Sequence, residues 1–225
     1  MHDLLKNFQI TVNDKTYVKD PETSELGKRI VEHSIVLINE IGFEAFTFKK
    51  LGNQISSNES SIYRYFENKH KVLLYLASWY WAWIEYQIVI QTYSIADPSE
   101  KLKKIIALIT AKIENDSNFS HINEKTLNKI IIGEYSKSFL TKEVDIENKE
   151  GYFSIYKRLI SRIENAIIAV NKEYPYPASL ASNLVEGSLH QHFLSEHFPT
   201  LTDCGNAVTP TEFYSDLIYN ALKIK

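Results

Sequence analysis

Within residues 47–69 (TFKKLGNQISSNESSIYRYFENK) two short helical patterns meet at a polar four-residue corner and run into an aromatic trio, the layout of a helix-turn-helix. In the first pattern Phe48, Leu51 and Ile55 recur at i, i+3 and i+7, and in the second Ile62 and Phe66 recur at i and i+4, so each rod has one face to bury. The free face of the second rod carries Glu59, Ser60, Ser61, Tyr63 and Arg64. Their length and their donor or acceptor groups suit them to base edges and phosphates. Thr47 and Asn58 stand where each rod begins, and their side-chain oxygens are expected to cap the orphan amides of the first turns.

The remaining chain repeats helix and breaker. Pro21 precedes a helix that starts at Ser24 or Glu25, with a stripe of Leu26, Ile30, Ser34, Leu37, Ile38 and Ile41 and a stop at Gly42. Asn68 is a further cap. Beyond it, helices are expected from residue 97 to about 115–118, over 125–140, over 152–170 up to the run Tyr174-Pro175-Tyr176-Pro177, over 178–198 and over 211–224, with 141–149 a polar stretch. No strand pattern recurs past residue 20, so the fold class is all-α. The exception is residues 8–18 (FQITVNDKTYV), whose alternation about Asn13-Asp14 reads as a small β-hairpin or an extended arm. Such an arm could reach a minor groove, but Asp3, Asp14 and Asp20 balance Lys6, Lys15 and Lys19, which favours packing on its own head or on a second subunit. The expected organisation is an arm over 1–24, a helix-turn-helix head over 25–70 and an all-helical domain over 71–225.

Residues 72–90 (VLLYLASWYWAWIEYQIVI) are almost wholly apolar and long enough to cross a bilayer. Glu85 and Gln87 sit in the last third, no basic cluster flanks the run, and Trp79, Trp81 and Trp83 bunch in its middle, all against a spanning helix and for no membrane partner. The 225-residue chain carries a net charge of −3, so any DNA affinity must come from local placement. Residues 25–75 hold seven Lys/Arg against six Asp/Glu, but Lys49, Lys50, Arg64, Lys69 and Lys71 all fall in or beside the two short rods. A single cysteine, Cys204, rules out an internal disulfide and suits a cytoplasmic location, as does a polar opening without a secretory h-region.

Residues 25–74 resemble the DNA-binding domain of the tetracycline-repressor (TetR/AcrR) family of bacterial regulators. The matching pieces are Arg29-Ile30-Val31, Gly42-Phe43, residues 47–52, Ile62-Tyr63-Arg64-Tyr65-Phe66, and Lys69 with Val72 and Leu73. The departures lie at the turn: Ile55-Ser56-Ser57-Asn58 stands where A-G-V-S is usual and Ser60-Ser61 where G-T is usual, so the glycine of the corner is missing. The resemblance implies a homodimer built through C-terminal helices, acting as a ligand-responsive repressor on a palindromic operator. In that mechanism residues 58–64 enter the major groove, with Glu59, Ser60, Ser61 and Arg64 reading bases. Thr47, Lys49, Tyr63, Tyr65 and Lys69 hold phosphates, the last three by their matching motif positions. The resemblance also implies that residues 72–90 form a long helix, touching the head at its start and the core of the second domain beyond it and so apolar on most faces, which a bound effector would tilt to spoil the spacing of the two heads.

Self-association is expected on the last pair of helices, over 178–198 and 211–224, the first of which sets small Ala178, Ala181, Ser182, Gly187 and Ser188 among Leu180, Leu184, Val185 and Leu189; intramolecular packing of the same face is the other reading. An apolar or aromatic effector would be held by Trp79, Trp83, Tyr86, Tyr135 and Tyr156, although core filling also accounts for such residues. Glu186, His190 and His197, with His192 nearby, could suggest a metal, but i to i+11 on a helix is about 16 Å, too far for one ion. No metal, cofactor or enzymatic activity is expected, since phosphate loop, HExxH, CxxC and nucleophile elbow are all missing. The rival reading is an all-helical small-molecule-binding or structural protein that does not bind DNA.

Overall fold

The computed structural model describes residues 10–113, 121–205 and 208–223. They form ten α-helices: α1 (Glu25–Ala45), α2 (Phe48–Gln54), α3 (Glu59–Tyr63), α4 (Lys69–Thr92), α5 (Pro98–Thr110), α6 (Glu124–Glu134), α7 (Val144–Lys149), α8 (Ser154–Val170), α9 (Pro177–His197) and α10 (Pro210–Leu222). Among the described residues there is no named strand, only one isolated bridge between Cys204 and Val208. The all-α reading therefore holds. The chain divides into two compact units, Met1–Ala82 with Ile113–Ile155 and Trp83–Lys112 with Tyr156–Lys225. This division differs from a cut after residue 70, because α6 packs against α1 and α7 joins the same unit.

Helix boundaries follow local chemistry. Thr47 accepts from the Lys50 amide, Asn58 from Ser61 and Asn68 from Lys71, so the three expected caps are made, and Ser24 adds a fourth by accepting from Gly27. Gly42 takes φ 76°, and the helical course of α1 breaks there before a last short turn. α5 ends at Thr110; the stop expected at 115–118 lies outside the described residues, as do the end expected at 224 and Asp3, Lys6 and Phe8 of the arm. The helix expected over 125–140 gives way after Glu134 to a 3-10 turn, Tyr135–Ser138, and the stretch over 141–149 contains α7, which its polar composition hid.

The first unit is centred on Ile30, Ile35, Ile38, Phe46, Leu51, Ile55, Ile62, Phe66 and Leu73, all at most 2% exposed. Tyr75 packs edge-on to Phe66 (5.4 Å) and to Tyr17 (6.2 Å). The expected hairpin does not form over the described part of the arm. Residues 10–13 lead into a single 3-10 turn, Asp14–Thr16, with Ile10, Val12 and Thr16 buried. The segment is tied to its own unit, the Asn13 side-chain amide donating to the Gly151 carbonyl at 2.8 Å and the Val18 amide to the Tyr65 carbonyl at 2.7 Å.

In the second unit α5 packs on α9 and α10, which also pack on each other. Leu102, Ile105, Ile106, Leu159, Ile163, Ile167, Leu184, Val185 and Ile218 form its core. Part of the small-residue stripe is used inside the unit: Ala181 and Ser188 are buried, and a Cβ on Gly187 would lie 1.9 Å from the Tyr214 hydroxyl of α10. Among the described residues no helix is long and apolar enough to cross a membrane, and no group of three or more His, Cys, Asp or Glu could hold a metal ion. The histidines of α9 have other partners, His192 Nε2 lying 3.0 Å from the Thr110 carbonyl oxygen and Phe193 packing with both His190 and His197.

Candidate nucleic-acid interface

Burial of one face presents the other. With Phe48, Leu51, Ile55 and Ile62 at most 4% exposed, α2 is held against α1 and α3 against α2, which turns Lys49, Asn58, Glu59, Ser60, Tyr63 and Arg64 to solvent. The corner between them is tight. The Ser57 amide donates to the Gly52 carbonyl at 2.9 Å, and a Cβ on Gly52 would come within 2.8 Å of the Ser57 carbonyl oxygen. Ser56, where the related motif carries glycine, adopts φ 51°, so the left-handed corner is kept although the residue that makes it cheapest is missing.

Asn58 Oδ1 accepts from both the amide and the hydroxyl of Ser61, each at 2.8 Å, which fixes the entry to α3 and occupies the Ser61 hydroxyl. Glu59, Ser60 and Arg64 remain exposed. Tyr63 is 49% exposed, its ring edge-on to Phe48 at 4.9 Å and its hydroxyl reaching Glu59 at 3.5 Å. Thr47 is exposed but spends its hydroxyl oxygen on the Lys50 amide at 3.2 Å.

The basic residues separate into two groups. Lys50 Nζ donates to the Ala45 carbonyl (2.9 Å), and Lys69 Nζ to the carbonyls of Phe43 (3.1 Å) and Glu44 (2.9 Å) while lying 4.8 Å from the Phe43 ring centre. Both ammonium groups satisfy the end of α1, where unpaired carbonyls attract cations. Lys71 sits over the Tyr152 ring at 3.7 Å. Lys49 and Arg64 are exposed and make no ion pair among the described residues. Tyr65, expected among the phosphate contacts, is instead 4% exposed, with its hydroxyl 2.8 Å from Ser24 Oγ and Lys19 Nζ 5.3 Å from its ring centre. The helical register turns position 65 inward beside Phe66, so this tyrosine holds the head together.

Residues 30–76 match the family model of bacterial regulatory proteins, tetR family. The head is a tetR-family domain. Solved structures extend the likeness of fold beyond that tetR-type head. AibR in complex with isovaleryl coenzyme A and operator DNA is 18% identical at a TM-score of 0.56, over 85% of this chain and 95% of that one. The ketosteroid transcriptional regulator KstR2 of Mycobacterium tuberculosis is 13% identical at 0.54, over 95% and 96%. The tetR-family transcriptional regulator PfmR from Thermus thermophilus is 14% identical at 0.55, over 87% and 97%. No curated protein matches the chain by sequence.

The residues expected to line an effector pocket are divided between the two units. Trp79 and Tyr135 are buried in the first unit, with Tyr135 packed against Trp81 at 5.1 Å; Trp83, Tyr86 and Tyr156 belong to the second unit, where the Tyr156 hydroxyl donates to Glu186. None of the five lines the cavity of about 510 Å³ that opens in the second unit beside Arg158 and Arg162. Two sequence signals could have led there: a carboxylate, Glu85, inside an apolar run, which demands a partner, and arginines spaced i, i+4 on α8.

Proposed function

We propose that the chain is a ligand-responsive, DNA-binding transcriptional repressor that works in the cytoplasm as a homodimer on a palindromic operator. The observation that carries this reading is α3 itself, anchored by buried Ile62 and by Phe66 just beyond it, with Glu59, Ser60, Tyr63 and Arg64 left to solvent. In this reading α3 enters the major groove, Arg64, Glu59 and Ser60 read bases, and Lys49, Tyr63 and Thr47 lie along the phosphates. Ser61 acts with Asn58 in setting the helix entry, Lys69 acts through the end of α1, and Tyr65 acts through packing. Dimerisation is assigned to the α9–α10 pair, where Phe213 and Leu217 on α10 and Phe198 and Leu201 beyond α9 leave large apolar side chains 39–68% exposed.

Selection of bound duplexes from a random pool tests the reading. The expected product is a palindrome whose half-sites lie about 34–36 Å apart, or a multiple of one turn. Arg64→Ala should change the base preferred at one position of each half-site at a cost of about 1–3 kcal/mol, while Lys49→Ala should weaken binding to all sequences and lower its salt dependence. Failure to enrich any duplex at low ionic strength would overturn the proposal.

A further inference from the structure

The cavity of the second unit has two kinds of wall. Ile88, Val89, Ile105, Ala166 and Ala169 give it an aliphatic side, and Lys101, Arg158 and Arg162 give it a cationic one. Its volume of about 510 Å³ falls within the range of about 300–1,000 Å³ typical of small-molecule sites. Behind the arginines lies Glu85, whose side chain is 7% exposed. Arg158 Nε donates to its two oxygens at 2.9 and 2.8 Å, with Nη2 2.6 Å from Oε2, and Arg162 donates through Nε at 3.2 Å and Nη2 at 3.0 Å.

This arrangement fixes both guanidinium planes and uses only part of their capacity. Glu85 takes up Nε and Nη2 of each arginine, and Nη1 of each has no protein acceptor among the described residues, on side chains 58% and 43% exposed. One carboxylate also neutralises only one of two arginine charges. Lys101, on α5, pairs with no carboxylate among the described residues and adds a further positive charge to the lining. A neutral apolar molecule would match the aliphatic wall and leave these donors unanswered. An anion matches both, and guanidinium groups already oriented by a buried carboxylate lose little freedom in receiving it.

We propose that this cavity binds an organic anion, with a carboxylate or phosphate head on Arg158, Arg162 and Lys101 and an aliphatic body against Ile88, Ile105 and Ala166. Calling that anion the effector rests on the regulator reading above; the binding itself does not. Its aliphatic and cationic lining differs from the aromatic set expected from the sequence.

Calorimetric titration of the full chain, without DNA and at low ionic strength, with octanoate, octyl phosphate and 1-octanol tests the site. At least one anion should bind about tenfold or more tightly than the alcohol, as charged hydrogen bonds imply, and the stronger of the two identifies the head group. Lys101→Ala, which leaves the Glu85 cluster intact, should remove much of that preference, and Ala169→Trp, which fills the cavity, should abolish binding while the unfolding midpoint shows that the chain still folds. The proposal is overturned if neither anion binds, if the alcohol binds equally well, or if Lys101→Ala behaves as the parent chain. Duplex binding measured in parallel separates the two readings: uptake of the anion without affinity for any duplex keeps the site and sinks the regulator, and the reverse result sinks the site alone.

Discussion

Ser56 holds a left-handed backbone at the corner of the helix-turn-helix, a conformation that costs a residue with a Cβ about 1–2 kcal/mol relative to glycine. Its exposed side chain makes no hydrogen bond that would repay this among the described residues. Ser56→Gly should therefore raise stability, by roughly 0.5 kcal/mol once the extra freedom of glycine in the unfolded chain is counted. Denaturant unfolding checks this, and a less stable variant would mean the corner draws on an interaction of the serine. That a glycine was missing here is plain from the sequence; that the turn keeps its geometry regardless is a property of its surroundings, the Gly52–Ser57 hydrogen bond and the buried Ile55 on one side of it. Tyr63 and Tyr65 make the same point. They are chemically identical and two positions apart, and only the packing of Ile62 and Phe66 decides that one faces solvent and the other is enclosed.

At the scale of elements, the short helices depend on their ends. α3 has five helical residues, too few to persist alone, and its start is held by the Asn58 side chain through two hydrogen bonds. Asn58→Ala should cost about 1 kcal/mol of stability and weaken duplex binding more than this loss explains, whereas Asn58→Ser should restore most of both. Unfolding midpoints and duplex affinities measured on the same preparations decide it; unchanged affinity in Asn58→Ala would remove the capped α3 from the interface. Caps and stripes were legible because they are local, a polar side chain at one position and apolar residues three or four apart. α7 was not, since Val144–Lys149 has no apolar stripe of its own and is fixed by neighbours, Glu147 lying 2.9 Å from His70 of α4. Nor could sequence tell which basic residues would be drawn to the end of α1, because the carbonyls that bind Lys50 and Lys69 become acceptors only once that helix ends there.

Over the whole molecule, buried and half-buried carboxylates set the response to acid. Burial pushes Glu22 up, but hydrogen bonds and charge from His121, with help from Tyr75 and Lys28, hold it below its ordinary 4.5; burial pushes Glu85 up too, and Arg158 and Arg162 outweigh it. A carboxylate whose folded value is lowered contributes stability in full above its unfolded value and loses it as pH falls through the folded one. Glu186 runs the other way, raised by burial that the Tyr156 hydroxyl only partly offsets, so its charge costs stability at neutral pH and protonation relieves it. The net expectation is a thermal midpoint that falls as pH drops from about 5 to about 3, with Glu85→Gln lowering the midpoint at neutral pH and flattening that acid limb. A midpoint that holds constant or rises over this interval contradicts it. Periodicity and capping chemistry by themselves determined the all-α class, the helix-turn-helix and its buried stripes, because a helix exposes its needs within one or two turns of sequence. Only tertiary structure decided which lysines stay exposed, that Tyr65 is enclosed, and that Glu85 meets Arg158 and Arg162 beside a cavity, because these contacts join residues up to some 77 positions apart. No local pattern specifies such a distance; it is set by how helices pack once their apolar faces are buried.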